Sequence, residues 1–128
     1  MWRLVPALCL CAAALGGCGG GDDAPSRTVT VAAGEQVRVI AQEYSFDPSG
    51  LVVNGGGRLR ITLDNRGSLA HNIKVLDDGR DIGGTESFPG GEQRSAAVNV
   101  RPGEYRLVCT VGDHEEKGMH GTLDVRSR

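Results

Sequence analysis

The sequence predicts an all-β protein, a Greek-key β-sandwich of about seven or eight short strands. Over several short stretches apolar residues alternate with polar ones, the pattern of strands with one buried face. Between these stretches lie turn residues, and the 128 residues include 20 glycines and 5 prolines. No long stretch after the N-terminal segment has the 3.6-residue period of an amphipathic helix. The length allows one hydrophobic core and no second domain.

The N-terminal segment has the features of an export signal. Met1-Trp2-Arg3 is a short positive region, and residues 4–15 form an apolar stretch too short to span a bilayer as a stable anchor. Residues 1–17 are therefore predicted to be a signal peptide. The protein is expected to be exported, to the periplasm or to the outer face of a membrane.

The signal ends in Leu15-Gly16-Gly17-Cys18, which resembles the lipobox of bacterial lipoproteins. That resemblance implies that the signal is removed before Cys18 and that Cys18 then carries a lipid anchor. The alternative is an ordinary secretory signal in which Cys18 is incidental. Glycines and acidic residues after Cys18 predict a flexible linker over residues 18–30, which leaves residues 31–128 as the folded domain.

Cysteine usage raises the question of a metal. Cys9 and Cys11 leave with the signal and Cys18 is assigned to lipid, so Cys109 is the one thiol of the folded domain. A single thiol in an oxidising compartment forms no internal disulfide and is open to oxidation unless something shields or uses it. A bound metal is one such use. A buried, inert thiol that packs as a small apolar side chain is the alternative.

The strands are predicted within residues 37–46, 51–53, 59–63, 71–75, 96–100, 105–109 and 121–125. His71 shares the parity of Ile73, and Cys109 shares that of Leu107, so both polar side chains are predicted to face the core. Residues 76–93 are rich in Gly and Asp and have no periodicity. They are predicted to form a long acidic surface loop.

Three potential metal donors precede the last predicted strand: Cys109, then His114 five positions later, then Met119 five after that. Thiolate, imidazole and thioether together favour copper, and two histidines, one cysteine and a distant axial methionine form a blue-copper site. His71 is the candidate for the second histidine because of its inward parity. Of the chain's three histidines, His120 is then left outside the site. Taken singly, each of the four has an ordinary structural interpretation, Met119 as core filler for example.

Residues 105–125, with the spacing Cys-x4-His-x4-Met, resemble the C-terminal copper loop of plastocyanin, azurin and auracyanin-like cupredoxins. The spacing is most similar to that of auracyanin loops. His71-Asn72 matches the upstream half of the motif, and segments 43–48 and 102–105 are also similar. The resemblance covers roughly residues 35–126.

The resemblance implies one type 1 copper ion with strong equatorial bonds to His71, Cys109 and His114 and a weak axial bond to Met119. It also implies that Asn72 braces the site by hydrogen bonds, as residues behind metal ligands do. The implied function is electron transfer by cycling between Cu(I) and Cu(II), with His114 at the exposed edge of the copper.

The sequence departs from the cupredoxin pattern at Gly112-Asp113, where many relatives carry Pro-Gly. A carboxylate beside a copper ligand favours the cupric state, so Asp113 is predicted to lower the reduction potential. Replacement of Asp113 by Gly is expected to raise it.

Composition and histidine number exclude several functions. The chain has 14 Lys+Arg against 16 Asp+Glu, evenly mixed, which offers no basic surface for nucleic acid. Three histidines cannot build the further copper sites of a nitrite reductase or multicopper oxidase, so no enzymatic activity is expected. One cysteine argues against a dinuclear copper domain, and the methionine argues against zinc. A periplasmic copper carrier or buffer is the alternative that remains.

The partners implied by the resemblance are redox proteins, either cytochromes or copper enzymes, that dock transiently over a small area on a monomer. The predicted acidic loop would steer a basic partner, although its charges serve solubility equally well. Against Arg80 alone, this loop carries Asp77, Asp78, Asp81, Glu86 and Glu92.

Overall fold

Every regular element between residues 26 and 128, the part of the chain that the computed structural model describes, is a β-strand. The predicted signal peptide and Cys18 lie outside the described residues. The strands are β1 (Thr28–Ala32), β2 (Gln36–Gln42), β3 (Ser45–Asp47), β4 (Gly50–Asn54), β5 (Gly57–Asn65), β6 (Lys74–Asp77), β7 (Arg80–Gly84), β8 (Gln93–Val100), β9 (Gly103–Val108) and β10 (His120–Arg126). Within this part of the chain no helix is long and apolar enough to cross a membrane.

The strands form two mixed sheets. One has six strands in the order β1-β4-β10-β9-β6-β7, and the other has four in the order β3-β2-β5-β8. In the first sheet β4 runs parallel to both β1 and β10, and in the second β2 runs parallel to β5. The remaining pairs are antiparallel. The all-β sandwich predicted from the sequence is confirmed.

Alternating side chains from both sheets fill the space between them. On β2 and β5 the inward residues include Val39, Ile61 and Leu63, none of which has any exposed surface. Burial of one such side chain is worth about 1.5–3 kcal/mol, and a register slip of one residue would turn every one of them outward. The apolar pattern therefore determines the parity of β2 and β5, whereas His71 and Cys109 lie just outside β6 and β9, in stretches where neighbouring residues of both parities are buried.

The structure has ten strands, so the expected number of seven or eight was too low. The predicted surface loop of residues 76–93 includes the end of β6 and all of β7, which pair as a hairpin in which Gly83 and Gly84 have φ angles of 148° and 140°. Glycines contribute no alternating side chains, so backbone pairing forms this strand without a pattern in the sequence. In addition β1 begins at Thr28, before the expected domain boundary at residue 31.

Two loops at one end of the sandwich carry the predicted metal ligands. The upstream loop, residues 66–73, joins β5 to β6, and the C-terminal loop, residues 109–119, joins β9 to β10. The two loops are adjacent because β6 pairs with β9, with Lys74 opposite Val108.

Candidate metal centre

His71, Cys109 and His114 come together between the two loops. Each offers one ligand atom, and these atoms all lie within 4.8 Å of one another. His71 and Cys109 have no exposed surface, and 7% of His114 is exposed. Among the described residues this is the one group of three or more His, Cys, Asp or Glu side chains arranged to hold a metal ion.

The nitrogen and sulfur atoms are spaced as ligands of one ion. Nδ1 of His71 lies 3.2 Å from Nδ1 of His114, and Sγ of Cys109 lies 3.7 Å from the same His114 atom. Metal bonds of about 2.0 Å to nitrogen and about 2.3 Å to sulfur, as at zinc, place neighbouring ligand atoms roughly 3.3 to 3.7 Å apart. The three atoms therefore fit a first-row metal ion, and a thiolate with two imidazoles suits copper.

The C-terminal loop closes on itself through its own backbone. The Cys109 amide donates to the Met119 carbonyl, and the Met119 amide donates to the His114 carbonyl, each at 3.0 Å. These bonds place the fully buried Met119 side chain beside the strand end that carries Cys109. The His114 amide donates to the Val111 carbonyl at 3.0 Å across a turn in which Gly112 has φ +49°. Three of the predicted ligands are thus positioned by one short loop.

One residue from outside the loop, Tyr44, also contacts His114. The ring of Tyr44 meets the His114 ring edge to face, with centroids 5.0 Å apart and planes at 62°. The Lys117 ammonium lies 4.7 Å from the Tyr44 ring centroid, a cation–π contact. Tyr44 therefore covers part of the least buried of the three clustered residues, and Lys117 packs on the Tyr44 ring.

The upstream loop is held by more distant parts of the chain. His71 and Phe88 exchange two backbone hydrogen bonds, of 3.2 and 3.1 Å. The Asn65 side-chain amide donates to the carbonyls of Leu69 and Phe88, both at 3.0 Å. His71 therefore owes its place to pairing with a residue from the segment between β7 and β8.

A carboxylate from a third element, Glu43, meets the outer nitrogen of His71. Its Oε1 lies 3.0 Å from Nε2 of His71 and accepts bonds from the amides of Ser68 and Leu69 at 2.9 and 2.7 Å. Donation from the Leu69 amide is the main cause that holds the pKa of Glu43 below its ordinary value. Burial lowers the pKa of His71, against the opposing effect of the Glu43 carboxylate.

Glu43 had no role in the sequence interpretation, although it stands in a segment noted for similarity. Nothing local distinguishes it from other charged residues beside a strand, since its partners lie 25 to 28 positions away. Only the parallel pairing of β2 with β5 brings it to the upstream loop.

Asn72 links the two loops in the way that was expected of it. Its Oδ1 accepts from the Thr110 amide, and its Nδ2 donates to the Thr110 hydroxyl, each at 2.8 Å. These bonds lie directly beside His71 on one loop and Cys109 on the other. Asn72 is itself 4% exposed, whereas Thr110 is exposed, so both bonds are partly buried.

Asp113 does not stand alone beside His114. Its carboxylate lies 3.2 Å from the Lys117 ammonium, and the pair is exposed. The hydrogen bond from Lys117 is the main cause that lowers the pKa of Asp113, and the same bond raises the pKa of Lys117. The positive partner offsets the negative charge near the candidate metal, so the expected effect of Asp113 on the potential is reduced.

His120 stands apart from the cluster, as the sequence interpretation had it. It is the first residue of β10, pairs with Val108, and is not among the residues whose ligand atoms converge in the described part of the chain.

The acidic stretch is largely ion-paired. Asp77 pairs with Arg80, Asp81 and Glu86 with Lys74, and Glu92 with Arg94. Of the five acidic residues in that stretch, Asp78 has no ion pair within residues 26–128.

Comparisons with known proteins agree with the fold and indicate the family. The cupredoxin-like domain family matches residues 7–125. No curated protein sequence matches the chain.

Several solved structures share the fold. Auracyanin A, a "blue" copper protein from Chloroflexus aurantiacus, is 19% identical with a TM-score of 0.62, over 78% of this chain and 100% of that one. An azurin from Methylomonas sp. strain J is 15% identical with a TM-score of 0.65, over 73% and 99%. A multicopper oxidase is 20% identical with a TM-score of 0.59, over 72% of this chain and 42% of the oxidase. Such low identities show the fold alone.

Proposed function

Because the chain belongs to the cupredoxin-like family, we propose that it is an electron-transfer protein with one type 1 copper ion held by His71, Cys109, His114 and Met119. The observation that carries this proposal is the convergence of the two Nδ1 atoms and the Cys109 thiol in a buried site. Copper, when bound, supplies a one-electron couple between Cu(I) and Cu(II).

The protein's part is to hold the donors in place and keep water out. Cys109 and Met119 are fully buried, and His71 is anchored at both its backbone and its outer ring nitrogen. No buried side-chain nitrogen or oxygen of the described residues lacks a hydrogen-bond partner. A site assembled in this way needs little rearrangement between two oxidation states, which suits electron transfer.

His114 is the route by which electrons would enter and leave. It is the only one of the clustered residues with exposed surface, and it lies on the loop at the end of the sandwich. Leu69, 43% exposed, is the one large apolar side chain that is strongly exposed among residues 26–128, and it stands on the adjacent upstream loop. A redox protein that docks transiently at this end would approach the site over a short distance.

The structure weakens the case that the acidic residues between positions 77 and 92 steer a redox partner. Four of these five carboxylates are within 4.0 Å of a cation, so the local field is weaker than the count of acidic residues implies. Cytochromes or copper enzymes are the proposed partners on the basis of family resemblance, and the proposed state is a monomer. A rate of association that is insensitive to salt would exclude steering.

Lipidation of Cys18 would hold one end of the domain near a membrane. This is the end that carries the upstream and C-terminal loops, here called the metal end. The Ser26 amide donates to Ser49 Oγ at 2.9 Å, and the Ser49 carbonyl accepts from the Thr122 amide beside the start of β10. Strand β1 thus begins at the end of the sandwich that carries the two loops. Ser26 lies eight positions after Cys18, a reach of at most about 28 Å. Export and anchoring through Cys18 are part of the proposal.

The anchor is tested by expressing the full chain and Cys18→Ser in a bacterial host and separating membranes from soluble extract. We expect the wild-type protein in the membrane fraction and the variant in the soluble exported fraction. Equal distribution of both would exclude a lipid on Cys18.

The copper proposal is tested by the absorption spectrum of the protein after addition of Cu(II). We expect an intense thiolate-to-copper band toward the red end of the visible range, lost in Cys109→Ser. His120→Asn is the matched control, because His120 lies outside the cluster, and its band should equal that of the wild type. A colourless Cu(II) form of the wild type would contradict the proposal.

A copper carrier or buffer could use the same ligands but must release the ion. Transfer of copper to a chelator in both oxidation states separates the two functions. We expect slow transfer in both states, because the ligands are buried and held by hydrogen bonds. Rapid release in either state would favour the carrier.

An enzymatic role is disfavoured by the number of candidate sites. The described residues contain a single group of His and Cys donors, whereas the similar oxidase extends well beyond the region that matches this chain.

A further inference from the structure

Glu43 binds three groups of the upstream loop through one oxygen. It directly follows β2, and its Oε1 is within hydrogen-bond distance of the Ser68 amide, the Leu69 amide and the His71 ring. The upstream loop approaches so closely that a Cβ on Gly67 would collide with the Glu43 carboxylate. The side chain remains 28% exposed, so its place is determined by these three bonds more than by burial.

The geometry determines which ring nitrogen of His71 carries the proton. Oε1 of Glu43 already receives two backbone N–H groups, so it acts as an acceptor, and Nε2 of His71 must donate to it. In a ring with one proton, Nδ1 then has the lone pair. That atom is the one that faces His114 and Cys109. The opposite tautomer would set the lone pair of Nε2 against the Glu43 oxygen.

From these contacts we propose that Glu43 is the positioning residue of the metal site: it holds His71 in the Nε2–H tautomer with Nδ1 directed at the metal. This inference rests on the proposed function, since it assigns Glu43 a part in metal binding. Glu43 acts through His71 and touches no metal itself. Carboxylates that orient a ligating histidine in this way commonly change metal affinity about 10- to 100-fold when removed.

The first experiment uses the metal-free protein. Long-range ¹⁵N–¹H NMR reads the His71 tautomer in the wild type, Glu43→Gln and Glu43→Ala. We expect Nε2–H in the wild type, the same in Glu43→Gln because its amide oxygen still accepts, and a mixture of tautomers in Glu43→Ala. An unchanged tautomer in Glu43→Ala would overturn the proposal. If that variant does not fold, Glu43→Met keeps the side-chain length without an acceptor and is judged by the same outcomes.

The second experiment measures copper affinity by competition with a chelator. We expect Glu43→Ala to bind copper about 10- to 100-fold more weakly and Glu43→Gln to recover most of the loss. Glu35→Ala is the matched control, because the Glu35 carboxylate accepts a backbone bond from Ala32 at the opposite end of β2. Its affinity should equal that of the wild type. If Glu43→Ala and Glu35→Ala bound copper equally well and both were less stable than the wild type, Glu43 would have only a structural role.

The two experiments separate this proposal from the proposed function. If the wild type binds no copper, the proposed function fails while the tautomer measurement still decides whether Glu43 orients His71. If the wild type binds copper and the tautomer does not respond to Glu43, the positioning role fails alone.

Discussion

The two loops at the metal end hold their histidines by different means. The C-terminal loop positions His114 through turns of its own backbone, over a few residues. The upstream loop positions His71 through Glu43, Asn65 and Phe88, which come from three other segments of the chain. His71 is fully buried and His114 partly exposed. One proposed ligand is therefore held by local sequence and the other by the assembled fold.

The largest expected effect comes from deleting each histidine ring. In His71→Gly and His114→Gly we expect the intense copper band to disappear. Added imidazole should restore it at a concentration about tenfold lower in His114→Gly, because that position opens to solvent whereas the other lies in the interior, a difference of about 1.4 kcal/mol. Titration with imidazole, followed by absorption, measures the difference. If both variants needed the same imidazole concentration, the two positions would be equally accessible.

Removing the hydrogen bonds between the two loops should have a smaller effect than removing a proposed ligand, but a measurable one. Asn72→Ala removes two partly buried hydrogen bonds to Thr110, so we expect a loss of about 2 kcal/mol in the free energy of unfolding of the metal-free protein. Thr110→Val removes only the hydroxyl acceptor and should cost about 1 kcal/mol or less. Urea unfolding of both variants and of the double variant gives the coupling. A double variant that costs the full sum of the single losses would mean that the loops are not linked through this pair.

The pH dependence of the stability of the metal-free protein should reveal the contribution of the buried His71. Burial lowers the pKa of His71, so near its ordinary pKa of about 6.5 the unfolded chain binds more protons than the folded one. Stability should therefore fall as the pH drops through that value, and urea unfolding between about pH 7.5 and about pH 5.5 measures the decline. In His71→Asn the decline should be smaller. An equal decline in both proteins would assign it to other groups.

The pKa of Glu43 is also lowered, so its contribution lies at more acidic pH. It is present above the ordinary value of about 4.3 and is lost as the pH falls through the lower value in the folded protein. Glu43→Gln should flatten that acidic part of the stability profile and leave the part near neutral pH unchanged.

The smallest expected effect concerns the charges beside His114. Lys117→Met leaves the Asp113 carboxylate without its cation and should lower the reduction potential, while Asp113→Asn should raise it slightly. The double variant should return close to the wild type. Voltammetry of the copper protein measures all three, with Arg126→Met at the far end of β10 as a charge control. A potential that rises in Lys117→Met would show that the pair does not act through its charge.

Much of the metal end was predictable because it is local. Cys109, His114 and Met119 lie within a stretch of eleven residues. Soft donors at that spacing indicate a metal site even when the fold is unknown. The burial of His71 and Cys109 was also predicted, although in the structure both lie beyond the strands, where residues of both parities are buried. The all-β class rests on the alternation of apolar and polar residues.

Other features could not be predicted because they depend on which strands become neighbours. Strand β7 is formed by backbone pairing in a glycine-rich stretch with no side-chain pattern. The Lys117 partner of Asp113 lies only four residues away, yet its effect appears only once the loop turns back on itself.

From the sequence alone, then, follow the fold class, the proposed set of soft donors and the loop that carries three of them, since each depends on side-chain chemistry over short distances. The tertiary structure alone decided how His71 is held. Parallel pairing of β2 with β5 carries Glu43 to the outer nitrogen of that ring, and the segment after β7 supplies its backbone partner Phe88. These are contacts between residues far apart in the chain, and only the packed sheets bring them together.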